Sequence, residues 1–206
     1  MPLRRPWPFA EVAAKLAVPA PGDAAERALE TWLDALAEWN EKIDLTAAKD
    51  ARGLVWLMLA DAMMLAQSLP RTVAVVDVGT GAGAPGLALA ILRPDLRVTL
   101  CEPLGKRAAF LRTCIGLLGA SVTLEAKRHD ALAARSFDVA VSRATFPPEE
   151  WLAIGASLVK PGGSVWVLLA QGDAPSLAGW AVAETLAYED ASTGAKKRLV
   201  RYVGGA

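Results

Sequence analysis

The sequence predicts an α/β protein with a doubly wound, mostly parallel sheet, and three observations carry that expectation. From residue 71 onward, short β-branched apolar runs alternate with longer segments of helical period. One of these runs passes straight into a glycine-rich turn and a helix, V-D-V-G-T-G-A-G-A-P-G-L-A-L-A from Val76 to Ala90. Two final runs, Val182 to Tyr188 and Lys197 to Val203, flank a turn with Gly194 and read as an antiparallel hairpin on the sheet edge. With 206 residues and 53% hydrophobic content, the chain is long enough for one sizeable core and a small appendage. The division expected is a helical cap over residues 1–70 and a sheet-bearing core over residues 71–206.

The elements follow in order. Met1 to Pro21 is proline-rich and holds the cluster Arg4, Arg5, Trp7 and Phe9, with a short helix near Glu11 to Leu16. It reads either as a basic, aromatic arm or as a packed cap on the helices that follow. Asp23 to Lys42 has Ala28, Trp32, Leu36 and Trp39 at helix spacing, with Asp23 as its expected cap. Trp39 to Ala47 leaves that period and reads as a turn rich in hydrogen-bonding side chains. Leu54 to Leu69 is a second, very apolar helix with Asp61 in its interior, a carboxylate that must be paired or functional. Beyond the glycine turn come a strand Arg97 to Cys101 and a helix Gly105 to Leu118. That helix has Lys106, Arg107 and Arg112 on one side, Phe110, Leu111, Ile115 and Leu118 on the other, and Gly119 as its stop. Strand Ser121 to Ala126 leads to Lys127-Arg128-His129-Asp130, and strand Phe137 to Val141 leads to Ser142-Arg143-Ala144. Helix Glu149 to Leu158 closes at Lys160-Pro-Gly-Gly, and strand Ser164 to Leu169 ends in Ala170-Gln171-Gly172.

The glycine turn is the candidate ligand site. Strand, turn and helix N-terminus are expected to set free backbone N–H groups beside a ligand, with Pro85 fitting the first helical turn. Gly81, Gly83 and Gly86 spell a literal G-x-G-x-x-G, the dinucleotide fingerprint. Asp77 argues against a dinucleotide, because a carboxylate at the strand end repels a pyrophosphate and attracts an ammonium or sulfonium. Asp77, Gly79, Gly81 and Gly83 therefore look like motif I of enzymes that use S-adenosylmethionine (SAM). Glu102, at the end of the next strand, can accept from both ribose hydroxyls. A tight turn with only a packing role is the bland alternative.

Composition narrows the classes. With 22 basic and 22 acidic residues the formal net charge is zero, so any RNA affinity must come from a local patch. Two cysteines, Cys101 and Cys114, and one histidine argue against a disulfide framework or a metal site and for buried, reduced thiols. There is no run of the ~20 apolar residues needed to cross a bilayer. No basic-then-apolar signal stands at the start, so a cytoplasmic protein without membrane association is expected.

Taken together, W-N-E-K-I-D-L-T-A at Trp39 to Ala47, D-V-G-T-G-A-G-A-P-G at Asp77 to Gly86 and L-G-K-R-A-A-F-L-R at Leu104 to Arg112 resemble the GidB/RsmG family. Arg128-His129-Asp130, Ser142-Arg143-Ala144 and Lys160-Pro-Gly-Gly extend the resemblance, which covers roughly Leu29 to Val203. It implies a class I SAM-dependent methyltransferase fold, a Rossmann-like, seven-stranded mixed sheet with an N-terminal helical extension. It also implies methylation of a guanine at ring nitrogen 7 in small-subunit ribosomal RNA, as naked RNA or ribosomal particle; separately, a monomer is expected. By the same resemblance Gly79 and Ala84 contact SAM, Glu102 its ribose, His129 and Asp130 its adenine, and Arg143 sits beside the methionine end. Arg128 and Arg143 are read as ending neighbouring strands, where they grip phosphates or the guanine edge; a strand-end ion pair with Asp130 or Glu102 is the alternative. The sequence departs from the family pattern at Met58, where the family has His, and at Ala62, Gln171 and Asp44, where it has Ser, Lys and Asn. Two other readings therefore stay open: a diverged SAM methyltransferase with another substrate, such as a small molecule, and a non-catalytic RNA-binding module.

Overall fold

A computed structural model describes residues 5–205. Along the chain run α1 (Phe9–Leu16), α2 (Asp23–Asn40), α3 (Ala51–Ser68), β1 (Ala74–Val78), α4 (Gly86–Leu92), β2 (Arg97–Cys101), α5 (Gly105–Leu118) and β3 (Val122–Glu125). A 3-10 turn (His129–Ala131), β4 (Phe137–Ser142), α6 (Pro148–Leu158), β5 (Val159–Leu169), β6 (Trp180–Asp190) and β7 (Ala195–Gly204) complete it. The strands form one seven-stranded sheet in the order β3-β2-β1-β4-β5-β7-β6, with β1 to β5 parallel and β7 antiparallel to both neighbours. The strand order reverses between β1 and β4, and a crevice at such a switch point is where open α/β sheets bind ligands.

Because the central strands are covered on both faces, their sequences read as apolar runs and not as clean alternation. Val75, Leu100, Val141 and Trp166 face the layer of helices α1 to α5, whereas Val76, Ala140, Val165 and Val167 face α6. The N-terminal helices share one hydrophobic cluster with the sheet, since Trp32 of α2, Leu59 of α3 and Leu100 of β2 all belong to it. Arg93 joins the two parts at the C-terminus of α3, where its guanidinium donates to the carbonyls of Ala66 (2.7 Å) and Leu69 (3.1 Å) and pairs with Asp95.

Several boundaries shift for local reasons. Asp23 is the first helical residue, not the cap; Gly22 occupies that place and offers no side chain, so Asp23 and Glu26 serve as charges in the first turn. Helix α3 starts at Ala51, ahead of its apolar pattern, because Asp50 accepts from Gly53 N–H at 2.7 Å. Strand β5 begins at Val159 and runs through Lys160-Pro-Gly-Gly, where a helix stop alone was expected. There Lys160 Nζ meets Asp138 Oδ1 at 2.7 Å while Asp138 Oδ2 accepts from Ala74 N–H, so one carboxylate ties β1, β4 and β5. Of the basic and aromatic cluster near the start, Arg4 lies outside the described residues. Arg5 and Trp7 both bind Asp34 of α2, at 2.8 and 2.9 Å, and Phe9 is buried, which makes this segment a packed cap. Among the described residues, no helix is long and apolar enough to cross a membrane.

Candidate active site

The chain leaves β1 at Val78 and reverses over residues 79–85 before α4 begins at Gly86. Gly79, Gly81 and Gly83 have φ of 71°, 60° and 107°, conformations that side chains disfavour. A Cβ on Gly79 would collide with the Thr145 side chain, and one on Gly86 would stand 2.7 Å from Asp77 Oδ2. At Gly81, by contrast, the Cβ direction is open, so the outer surface of the loop is clear at that point.

Most of the loop's N–H groups are not free, which corrects the expectation from its sequence. Gly79 N–H donates to Cys101 O (2.8 Å), Gly81 to Glu102 Oε2 (3.0 Å), Gly83 and Ala84 to Thr80 O (2.9 and 3.1 Å) and Gly86 to Asp77 Oδ2 (2.8 Å). The turn is wound so tightly that its donors close on the ends of β1 and β2. It is therefore poor in donors for a pyrophosphate. The two carboxylates behind it bias it towards a cation.

Those carboxylates lie deeper than expected. Asp77 is 0% exposed and Glu102 2%. Asp77 was expected to face a cationic ligand directly; instead it sits beneath the loop and acts through Gly86. Its second oxygen, Oδ1, lies near the buried Thr80 hydroxyl, and no other polar group among the described residues reaches either of them. Burial pushes the Asp77 carboxyl up to about 6, against the lowering influence of Thr80, the Gly86 N–H and Arg143. Glu102 uses both oxygens on backbone, taking Gly81 N–H and, at 2.9 Å, Leu104 N–H. Each oxygen keeps a further lone pair for a hydroxyl.

The remaining expected residues separate into two groups. Arg128 and Asp130 stand exposed beyond β3, 3.2 Å apart, with side chains 70% and 59% accessible. His129 is half-buried, edge-on to Phe146 at 5.1 Å. Arg143 leaves the end of β4. Since β2 and β1 separate β3 from β4, Arg128 and Arg143 do not end neighbouring strands. Arg143 pairs neither with Asp130 nor with Glu102: it donates to the Leu57 carbonyl and to Asp61 Oδ2, the latter at 3.3 Å. Tyr188 of β6 donates to the other Asp61 oxygen at 2.8 Å, and burial raises its phenol, followed by the Asp61 charge. The carboxylate inside α3 is thus paired, and it joins α3, β4 and β6. All three residues line a cavity of about 370 Å³ at the C-terminal ends of β4 and β5, together with Trp56, Phe146 and Trp151.

Some contributors were not visible in the sequence. Trp32 reads as a core residue of α2, yet its indole N–H donates to Ala82 O at 3.1 Å and so supports the loop from outside the motif. Thr145 donates to Gly79 O at 3.3 Å; Ser142, already marked by the Ser142-Arg143-Ala144 match, donates to Val78 O at 2.7 Å. Of the departures from the family pattern, Met58 and Ala62 are buried in the core, Gln171 lines the cavity, and Asp44 lines a groove with Lys42, Lys106 and Arg107. Both cysteines are buried and free, and burial pushes their thiols up, Cys101 to about 11 and Cys114 to about 12.

A sheet ordered 3-2-1-4-5-7-6 with a glycine loop at the switch point and an acid at the end of β2 defines a class I, Rossmann-like methyltransferase. Solved structures share the fold. The 1,6-didemethyltoxoflavin-N1-methyltransferase of Burkholderia thailandensis, with S-adenosylhomocysteine bound, superposes with a TM-score of 0.59 at 16% identity over 100% of this chain and 94% of that one. A SAM-dependent methyltransferase from Aquifex aeolicus gives 0.54 at 17% identity over 72% and 92%. The family profile of GidB, rRNA small subunit methyltransferase G, matches residues 25–189. The ribosomal RNA small subunit methyltransferase G of Anaeromyxobacter sp. (strain Fw109-5) is 34% identical over 87% of this chain and 85% of its own length. Its counterpart from Halorhodospira halophila is 39% identical over 70% and 69%. The chain belongs to the GidB family.

Proposed function

We propose that this protein transfers the methyl group of SAM to ring nitrogen 7 of a guanine in small-subunit ribosomal RNA, with the RNA or the ribosomal particle as its partner. Family membership supports the substrate class. The observation that carries the cofactor reading is the buried carboxylate of Asp77 beneath a loop most of whose N–H groups are already taken. Such a site fits a cationic methionine end and not a pyrophosphate. Gly81 leaves room above the loop, Glu102 has lone pairs for the ribose, and the backbone of His129 with Asp130 is assigned to the adenine.

SAM, when bound, supplies a methyl group on a positively charged sulfur. Guanine nitrogen 7 already carries an in-plane lone pair, so no residue of this chain has to remove a proton. A methyl supplied in this way would form the new N–C bond with its C–S bonding pair left on sulfur, and the positive charge would pass to the purine. The chain's own work is alignment and exclusion of water. Burial of Asp77 and Glu102 keeps negative potential close to that moving charge. Arg143 borders both the loop end of β4 and the cavity, and Arg128, exposed beyond β3, is assigned to RNA phosphate. A small-molecule substrate is disfavoured by the charges of Asp61, Arg143, Asp190 and Lys197 around the cavity.

Incubation with methyl-tritiated SAM and purified small subunits tests this reading. Label entering small-subunit RNA, and absent from transfer RNA, is the expected result; no label in any ribosomal RNA would overturn it.

A further inference from the structure

An enzyme that methylates nitrogen 7 of guanine must leave that side of the base open and hold it elsewhere. The opposite, Watson–Crick edge offers an acceptor, O6, followed by two donors, the N1–H and the N2 amino group. A base displaced from its stack is commonly read along that edge and stacked on aromatic rings. The cavity at the ends of β4 and β5 holds two stacked aromatic pairs. Trp56 lies on Tyr188 with centroids 6.2 Å apart and planes at 23°, and Phe146 on Trp151 at 6.1 Å and 15°. The same cavity is lined by a guanidinium and a carboxylate already in contact, Arg143 Nη1 to Asp61 Oδ2 at 3.3 Å.

We propose that Asp61 reads the Watson–Crick edge of the target guanine in this cavity, with Arg143 at O6 and Tyr188 holding the carboxylate in place. The inference rests on the guanine reading above and adds the residue that selects the base. A donor next to two acceptor oxygens complements acceptor, donor, donor along guanine. Adenine would turn its bare N1 lone pair against the carboxylate, and inosine would leave one oxygen without a donor. The two bonds Asp61 accepts in the structure do not exclude this role, because each carboxylate oxygen has a second lone pair. An Arg placed on nitrogen 7 would block attack there, whereas Arg143 beside Asp61 approaches O6 from the Watson–Crick side.

The test compares wild type with Asp61→Asn on ribosomal RNA carrying either guanine or, by splinted ligation, inosine at the methylated position. Wild type should favour guanine at least tenfold in kcat/KM, and Asp61→Asn should lose most of that preference. A merely structural role would slow both substrates alike and leave their ratio intact. In parallel, guanosine, inosine and adenosine monophosphates are titrated calorimetrically into both proteins with S-adenosylhomocysteine present. Guanosine monophosphate should bind wild type tightest, and the preference should vanish in the variant. Transfer to guanine and inosine at equal rates overturns the role of Asp61 and leaves the guanine methyltransferase reading standing. Absence of transfer with a guanosine preference that depends on Asp61 overturns that reading and keeps the base pocket. Failure of both preferences overturns the pocket.

Discussion

Replacing Gly86 by Ala puts a methyl group 2.7 Å from Asp77 Oδ2 and 2.5 Å from a Leu100 methyl. Neither neighbour has room to yield, because both are 0% exposed. Relieving the overlap pushes the start of α4 off β1, at about 1–3 kcal/mol for overpacking of this size. The same movement lengthens the Gly86 N–H bond to Asp77, and losing a hydrogen bond to a charged group costs about 1.5–3 kcal/mol. The sum, roughly 4 kcal/mol, corresponds at this chain length to a fall in Tm on the order of 10 °C. Gly81→Ala is the matched control. Its new methyl points into open space and the change costs only about 1 kcal/mol for a left-handed φ. Its effect should appear in SAM affinity, reduced at least tenfold by calorimetry, while Tm falls by a few degrees. The reasoning is refuted if Gly86→Ala melts within two degrees of wild type, or if Gly81→Ala binds SAM as tightly as wild type.

Other consequences can be measured separately. Burial raises the Asp77 carboxyl from its ordinary value near 3.8 to about 6, so the folded protein holds that proton more tightly than the unfolded chain does. The stability linked to it is full below pH 3.8 and is withdrawn as pH rises through 6, on the order of 3 kcal/mol. Asp77→Asn should therefore gain Tm relative to wild type between pH 4 and 7.5, with weaker SAM binding; a constant difference across that range would contradict the assigned burial effect. Trp32→Phe keeps an aromatic ring but removes the indole N–H from the Ala82 carbonyl and leaves a void at a fully buried site, at about 2–4 kcal/mol of stability, and should weaken SAM binding several-fold, as titration would reveal. Asp138→Ala should destabilise more than Lys160→Ala in denaturant titrations. It strands the Ala74 N–H, whereas removing the half-exposed Lys160 costs only about 0.5–1 kcal/mol.

The parts of the fold set by local chemistry were legible in the sequence. Helix α5 starts and stops where its apolar stripe and Gly119 place it, because Gly119 adopts the left-handed cap at φ 57°. The glycine motif marks the switch point for the same reason, since positive φ is written into residue type. What the sequence could not carry are facts of approach between distant segments. That Asp77 turns inward to Gly86 depends on how closely α4 packs against β1. The pairing of Arg143 with Asp61 depends on where α3 lies over β4, and Tyr188 reaches them only because the final hairpin folds back along the sheet. A strand through Lys-Pro-Gly-Gly is hidden because proline and glycine signal a break, whereas a bulge between Phe137 and Val139 lets pairing resume. Arg128 and Arg143 looked adjacent because their strands follow one another in sequence, and the reversal of strand order sets them apart.

The central claim is methyl transfer to a guanine ring nitrogen, and its most direct test is chemical cleavage of the treated RNA. Methylation at nitrogen 7 makes the base labile to borohydride reduction, and aniline then breaks the strand at that nucleotide. Small-subunit RNA incubated with the wild-type protein and SAM should show one new break at a guanine, missing when SAM is withheld or when Gly81→Val replaces wild type. Methyl label incorporated without any such break would contradict the claim.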